Sequence, residues 1–165
     1  MSLSLGIDIG TSGVRTSVIE DSGAEIASAS VTMPAPIHID DRPCQDATIW
    51  WKAVARCLQD QAASLREAAR PFQEISALSV DGTSGTLLLT DADLNPLTPG
   101  YMYNSANFTT EAAAIASQAP EPSMARGAGF TLARLLFLQK RVDAGRAQHA
   151  LHQADWIAAK LTRRG

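Results

Sequence analysis

Asp8, Thr11, Ser12 and Arg15 stand close together in the run Leu5-Gly-Ile-Asp-Ile-Gly-Thr-Ser-Gly-Val-Arg15. An acid interrupting an apolar stretch needs a partner, because a buried carboxylate is costly unless a metal, a hydroxyl or a cation answers it. Gly10 and Gly13 permit a tight turn, Thr11 and Ser12 offer hydroxyls and amides, and Arg15 adds a fixed positive charge. Amides, hydroxyls and a guanidinium around a turn suit phosphate oxygens. The same residue types also serve as plain turn formers at the end of a strand.

A second run with chemical content is Val80-Asp-Gly-Thr-Ser-Gly-Thr-Leu-Leu-Leu-Thr-Asp91. Its polar, glycine-bearing centre follows an apolar stretch. In open α/β sheets ligands bind beyond the carboxyl ends of strands. Thr83 and Ser84 could donate to and accept from a polyhydroxylated ligand, with the small neighbours allowing close approach. Asp-Gly and Ser-Gly are equally hairpin-turn dipeptides, so a structural turn is the competing reading.

The elements that must hold these residues alternate between strand and helix patterns. Apolar runs at 5–9 and 14–19 around Gly-Thr-Ser-Gly predict a hairpin, and 25–32 a third strand. Residues 33–43 carry three prolines and predict an extended loop. Asp46 reads as a helix N-cap, with Trp50, Val54, Cys57, Gln61 and Leu65 at helical spacing until Pro71 stops the helix. Strands are predicted at 74–80 and 86–90, a turn at 91–96 and an extended piece at 101–104. Helical character follows at 109–118, 131–141 and 154–161. This pattern supports an α/β fold with a mixed sheet.

Composition narrows the partners. Of 165 residues 45% are hydrophobic and 19% charged, enough for one ordinary core, and the net charge is −3 without a basic cluster. That disfavours nucleic acid and anionic membrane as partners. No apolar run approaches the roughly 20 residues of a membrane span. No signal peptide is legible at the start. Cys44 and Cys57 lack metal-ligand spacing, and Cys57 falls in the apolar stripe of the first helix. A reduced, cytoplasmic location is expected.

The run from Gly6 to Arg15 resembles the first phosphate motif of the sugar-kinase, heat-shock-protein and actin superfamily, and within it the FGGY carbohydrate kinases. Residues 81–86 are similar to the family's sugar-contacting segment, more narrowly to the D-ribulose kinase branch of plants and cyanobacteria. Pro96-Leu-Thr-Pro99 with the following Tyr101-Met-Tyr-Asn-Ser-Ala-Asn107 resembles the strand that usually reads Trp/Tyr-Asn-Asp-x-Arg. Leu151-His-Gln-Ala-Asp-Trp-Ile157 resembles the helix start found in pentulose kinases. Ser105 and Asn107 depart from the usual acid and guanidinium, which favours the D-ribulose branch over glycerol-kinase-like contacts.

The resemblance implies a ribonuclease-H-like lobe of that superfamily, with a mixed sheet and flanking helices. It implies ATP-dependent, Mg²⁺-assisted phosphorylation of a sugar hydroxyl, most narrowly of a pentulose such as D-ribulose or D-xylulose. Asp8 is the implied catalytic and metal-organising acid, or alternatively a hydrogen-bond acceptor for the sugar. Thr11, Ser12, Gly13 and Arg15 fall at phosphate-handling positions. Asp8, Thr83, Ser84, Gly85 and Asn104 fall at sugar-binding positions, and Asp8 and Ser84 are expected to face one cleft. Residues 1–165 correspond to the family's N-terminal, sugar-binding lobe. The second phosphate segment, the adenosine site and the catalytic base belong to a C-terminal lobe absent from this sequence. A sugar-binding lobe without kinase activity is therefore the competing function. The implied partners are a small-molecule sugar and ATP, with homodimerisation left open.

Overall fold

The computed structural model describes residues 2–163. Two compact units divide the chain. The first takes the residues up to Ala35 together with Thr48–Gly82, and the second takes Pro36–Ala47 and the residues from Thr83 onward.

Strict alternation marks the first strand of the first unit. In β1 (Leu3–Ile9) the side chains of Leu3, Leu5, Ile7 and Ile9 are buried, while Ser4, Gly6 and Asp8 take the opposite face. A period of two turns successive side chains to opposite faces, so this one strand presents a core side and a chemical side. β1 pairs antiparallel with β2 (Gly13–Glu20), which pairs antiparallel with β3 (Glu25–Thr32). A parallel partner, β6 (Ile75–Gly82), completes the order β3-β2-β1-β6. The expected hairpin, third strand and mixed sheet are all present.

One helix covers the core face. α1 (Ala47–Glu67) begins directly after Asp46 and buries Trp50, Val54, Cys57, Gln61 and Leu65, the stripe expected from its spacing. Gln61 Oε1 accepts a 2.9 Å bond from the buried hydroxyl of Thr16 on β2, and the Cys57 thiol lies 3.4 Å from the Val14 carbonyl. Burial also pushes the Cys57 thiol pKa up, leaving it a packing residue. Truncating a buried side chain as large as Trp50 to Ala would cost about 3–5 kcal/mol.

The second unit departs from the expectation of a proline-rich loop at 33–43. β4 (Ile37–Ile39) and β5 (Arg42–Gln45) form a hairpin there, turned by Asp40 and Asp41 at φ 49° and 59°. Two successive left-handed residues match the tight turn that suits strand twist, and Asp tolerates that region better than most residues. Pro43 donates no amide hydrogen, but its carbonyl accepts from the Met102 amide at 3.0 Å and from the Ser105 hydroxyl at 2.6 Å. β8 (Gly100–Tyr101), β7 (Leu87–Thr90) and β9 (His149–His152) complete an antiparallel sheet in the order β4-β5-β8-β7-β9. β9 lies where the sequence pattern showed only the approach to a helix.

Among the described residues three α-helices accompany this sheet, α2 (Thr109–Ala116), α3 (Thr131–Gln139) and α4 (Gln153–Thr162). Tyr101, Phe108 and Phe137 meet edge to face at centroid separations of 5.0–6.4 Å in the core. Trp156 is buried and donates its indole N–H to the Leu94 carbonyl at 3.0 Å, which makes it a packing residue.

Candidate functional site

Asp8 is not buried. Its side chain is 54% exposed on the open face of the first sheet, so the apolar run around it reflects the opposite face of β1 rather than a carboxylate sunk in the core. Its direct cross-strand partner on β2 is Arg15, and on β6 it is Asp81. Arg15 Nη1 lies 3.4 Å from Asp8 Oδ2, with the Arg15 side chain 64% exposed. An ion pair this open adds little stability. Its consequence is orientation: a guanidinium and two carboxylates share one strip of sheet. A groove of about 710 Å³ runs over that face, lined in part by Gly6, Asp8, Arg15, Ser17, Ser30 and Asp81.

The turn after β1 carries the next candidates. The Gly10 amide donates to the Gly13 carbonyl at 2.9 Å, and the Ser12 carbonyl accepts from the Met33 amide at 2.8 Å. Ser12 is exposed and Thr11 half-buried between these anchors. Gly13 is needed for a reason other than a left-handed backbone. A Cβ there would stand 2.7 Å from the Val31 carbonyl of β3, whereas a Cβ on Gly10 would meet ordinary contacts.

Asp81 is the penultimate residue of β6, and residues 83–86 lead into β7 in the second unit. β6 and β7 belong to different sheets, so this segment is not the turn of a hairpin. Gly85 takes φ +82°, a conformation that favours glycine. Ser84 is exposed, and Thr83 is half-buried with its amide and hydroxyl hydrogens both directed at Gln153 Oε1. Asn104 is exposed, whereas Ser105, where many FGGY kinases carry an acid, is fully buried and bonded to Pro43.

Arg134, on α3, escaped the sequence reading. It is 1% exposed, and among the described residues no carboxylate pairs with it. Its guanidinium donates instead to the carbonyls of Gly85, Tyr103 (3.2 Å), Ser105 (2.9 Å) and Gly129 (3.3 Å). Burial pulls its pKa down to about 10, so it remains charged at neutral pH. One side chain thus ties the 83–86 segment to the 103–105 segment. A single arginine in a helical apolar stripe gives no sign of such a role.

Asp8, Arg15 and the Thr11–Ser12 turn are gathered in the first unit, and Thr83, Ser84, Gly85 and Asn104 in the second. Among the described residues no group of three or more His, Cys, Asp or Glu could hold a metal ion by itself. No helix of the described residues is long and apolar enough to cross a membrane.

Residues 3–164 match the FGGY family of carbohydrate kinases, N-terminal domain. The chain belongs to this family. Among curated FGGY relatives, the xylulose kinase of Escherichia coli K12 is 27% identical over 144 residues, covering 82% of this chain and 28% of that protein. The xylulose kinase of Klebsiella pneumoniae is 25% identical over 168 residues, 96% of this chain and 33% of the relative. This FGGY chain thus spans about a third of the length of the curated relatives it matches. Solved structures agree on the fold. Rhodospirillum rubrum xylulose kinase superposes with TM-score 0.82 at 17% identity over 96% of this chain and 34% of its own. Plasmodium falciparum glycerol kinase with ADP reaches 0.84 at 12% identity over 100% of this chain and 35% of its own. These neighbours are sugar kinases of the actin and Hsp70-like fold, as the motifs implied.

Proposed function

We propose that this chain is the sugar- and phosphate-handling part of an ATP-dependent kinase acting on a pentulose such as D-ribulose or D-xylulose. The observation that carries this reading is the strip Asp81–Asp8–Arg15, three direct neighbours across β6, β1 and β2, running beside the Thr11–Ser12 turn. Family membership and the similarity to xylulose kinases support the substrate class.

The residues fit the ion that such chemistry uses. Mg²⁺ keeps several waters and binds through one or two carboxylates plus substrate phosphates, and Asp8 with Asp81 offers hard oxygen donors at adjacent exposed positions. When bound beside ATP, Mg²⁺ neutralises charge that accumulates on the phosphoryl group. Asp8 would hold the ion directly or through its waters. Arg15 keeps the Asp8 carboxylate oriented and adds positive charge. Thr11, Ser12 and Gly13 present the turn to phosphate oxygens. In the second unit Ser84 offers an exposed hydroxyl to the pentulose, with Thr83, Gly85 and Asn104 around it. The base that accepts the sugar's proton, and the adenosine site, belong to parts of the enzyme outside this chain. Cytoplasmic residence follows from the same reading.

A coupled ATPase screen of pentuloses and polyols on the complete protein tests this function. Highest kcat/KM with D-ribulose or D-xylulose is the expected result. Absence of sugar-dependent turnover with every pentulose and polyol overturns it.

A further inference from the structure

Gln153, the first residue of α4, is fully buried, and its side chain reaches back 70 residues to Thr83. Oε1 accepts the Thr83 amide hydrogen at 2.9 Å and the Thr83 hydroxyl hydrogen at 2.8 Å. The backbone donor settles which way the amide points, since an NH₂ group in that place would face N–H with N–H. The orientation then propagates. Thr83 has one hydroxyl hydrogen, and it goes to Gln153. The 2.6 Å contact between the Thr83 and Thr86 hydroxyls must therefore be donated by Thr86, which itself accepts from the Tyr103 amide at 3.2 Å. The Gln153 backbone N–H closes the circuit by donating to the Thr86 carbonyl at 3.1 Å. Gln153 Nε2 is left buried without a partner among the described residues, a cost carried by this arrangement.

We propose that Gln153 is a positioning residue for sugar recognition: by consuming both hydrogen-bond donors of Thr83 it fixes the 83–86 segment so that Ser84 alone presents a free hydroxyl hydrogen to the substrate. This rests on the reading of that segment as the sugar contact. Thr83 is then part of the scaffold and not a donor to the sugar. Arg134 holds the same segment from Gly85, so backbone on both sides of Ser84 is anchored by a buried side chain. A ligand that meets a pre-set hydroxyl avoids the entropy of ordering a loop, and the benefit falls on sugar affinity rather than on nucleotide affinity.

The test uses the complete protein, with steady-state kinetics for pentulose and ATP separately and thermal unfolding alongside. Gln153→Leu, and Gln153→Asn, whose amide falls one methylene short of Thr83, are expected to raise the sugar KM about tenfold and leave the ATP KM unchanged. Gln153→Glu supplies an accepting oxygen at the same reach while burying a carboxyl group. Provided its unfolding midpoint shows it folded, it is expected to keep the sugar KM within about threefold of the parent, and only a folded Gln153→Glu counts as a failed rescue. In the Gln153→Asn/Ser84→Ala pair the two effects should be markedly less than multiplicative, because one acts through the other. An unchanged sugar KM in Gln153→Asn, a parallel rise in both KM values with lowered stability, or failure of Gln153→Glu to rescue overturns the proposal. A sugar KM and kcat unaffected by Ser84→Ala defeats instead the reading of this segment as the sugar contact.

Discussion

Asp8 and Arg15 face each other as direct partners across β1 and β2, with 3.4 Å between Oδ2 and Nη1 and more than half of each side chain exposed. An ion pair in that setting has little value for stability. It lies on the sheet face that the core does not use, beside a second carboxylate, Asp81.

Asp8→Ala in the complete protein should therefore abolish sugar phosphorylation, by about 10²-fold or more in kcat if the acid organises the transferring phosphoryl group. The fold should be untouched, and circular dichroism and the unfolding midpoint should match the parent. Parent-like turnover in Asp8→Ala would remove Asp8 from the chemistry.

Ser84→Ala deletes an exposed hydroxyl from a segment otherwise fixed by backbone and buried side chains. Sugar KM is expected to rise about tenfold, corresponding to about 1.4 kcal/mol of a lost hydrogen bond, with kcat changed much less. Steady-state kinetics with D-ribulose and D-xylulose distinguishes this from a kcat effect.

Gly13→Ala places a methyl 2.7 Å from the Val31 carbonyl, a backbone atom that can retreat only if β3 shifts. A loss of about 1–3 kcal/mol is expected, as for other overpacked sites, and is read from the denaturant midpoint. Gly10→Ala meets no such atom and serves as the control.

Glu111, at 6% exposure, lies 2.7 Å from Lys140. The hydrogen bond from Lys140 holds its carboxyl below the usual value of 4.5, against the opposing pull of burial. A depressed carboxyl pKa stabilises the folded state above its unfolded value, and that stability is lost as pH falls through the folded one. Urea denaturation across pH 6 to 3 should show stability declining below about pH 4.5, with a shallower decline in Lys140→Met. At neutral pH that substitution should cost about 1–2 kcal/mol, as for other charge-assisted hydrogen bonds.

The amino-acid sequence by itself determined the elements whose signal is local. The apolar runs at 5–9 and 14–19, the stripe from Trp50 to Leu65 and the glycine-flanked turn at Thr11–Ser12 are each carried by residues close together in the chain. Family membership was legible for the same reason, since its motifs are contiguous phrases. Only the tertiary structure decided the rest. β4 and β9 are three and four residues long, too short to show a period; β9 exists because β7, some way back in the chain, supplies its partner, and the β4–β5 hairpin is joined to the sheet through β8. Asp8 read as a buried acid because an apolar neighbourhood in sequence says nothing about which face of the strand is covered. Arg134 and Gln153 looked like ordinary helix residues, yet they reach 49 and 70 positions back to hold the segment around Ser84. Hydrogen bonds across such separations depend on where the chain returns in space, and packing of the whole unit sets that return.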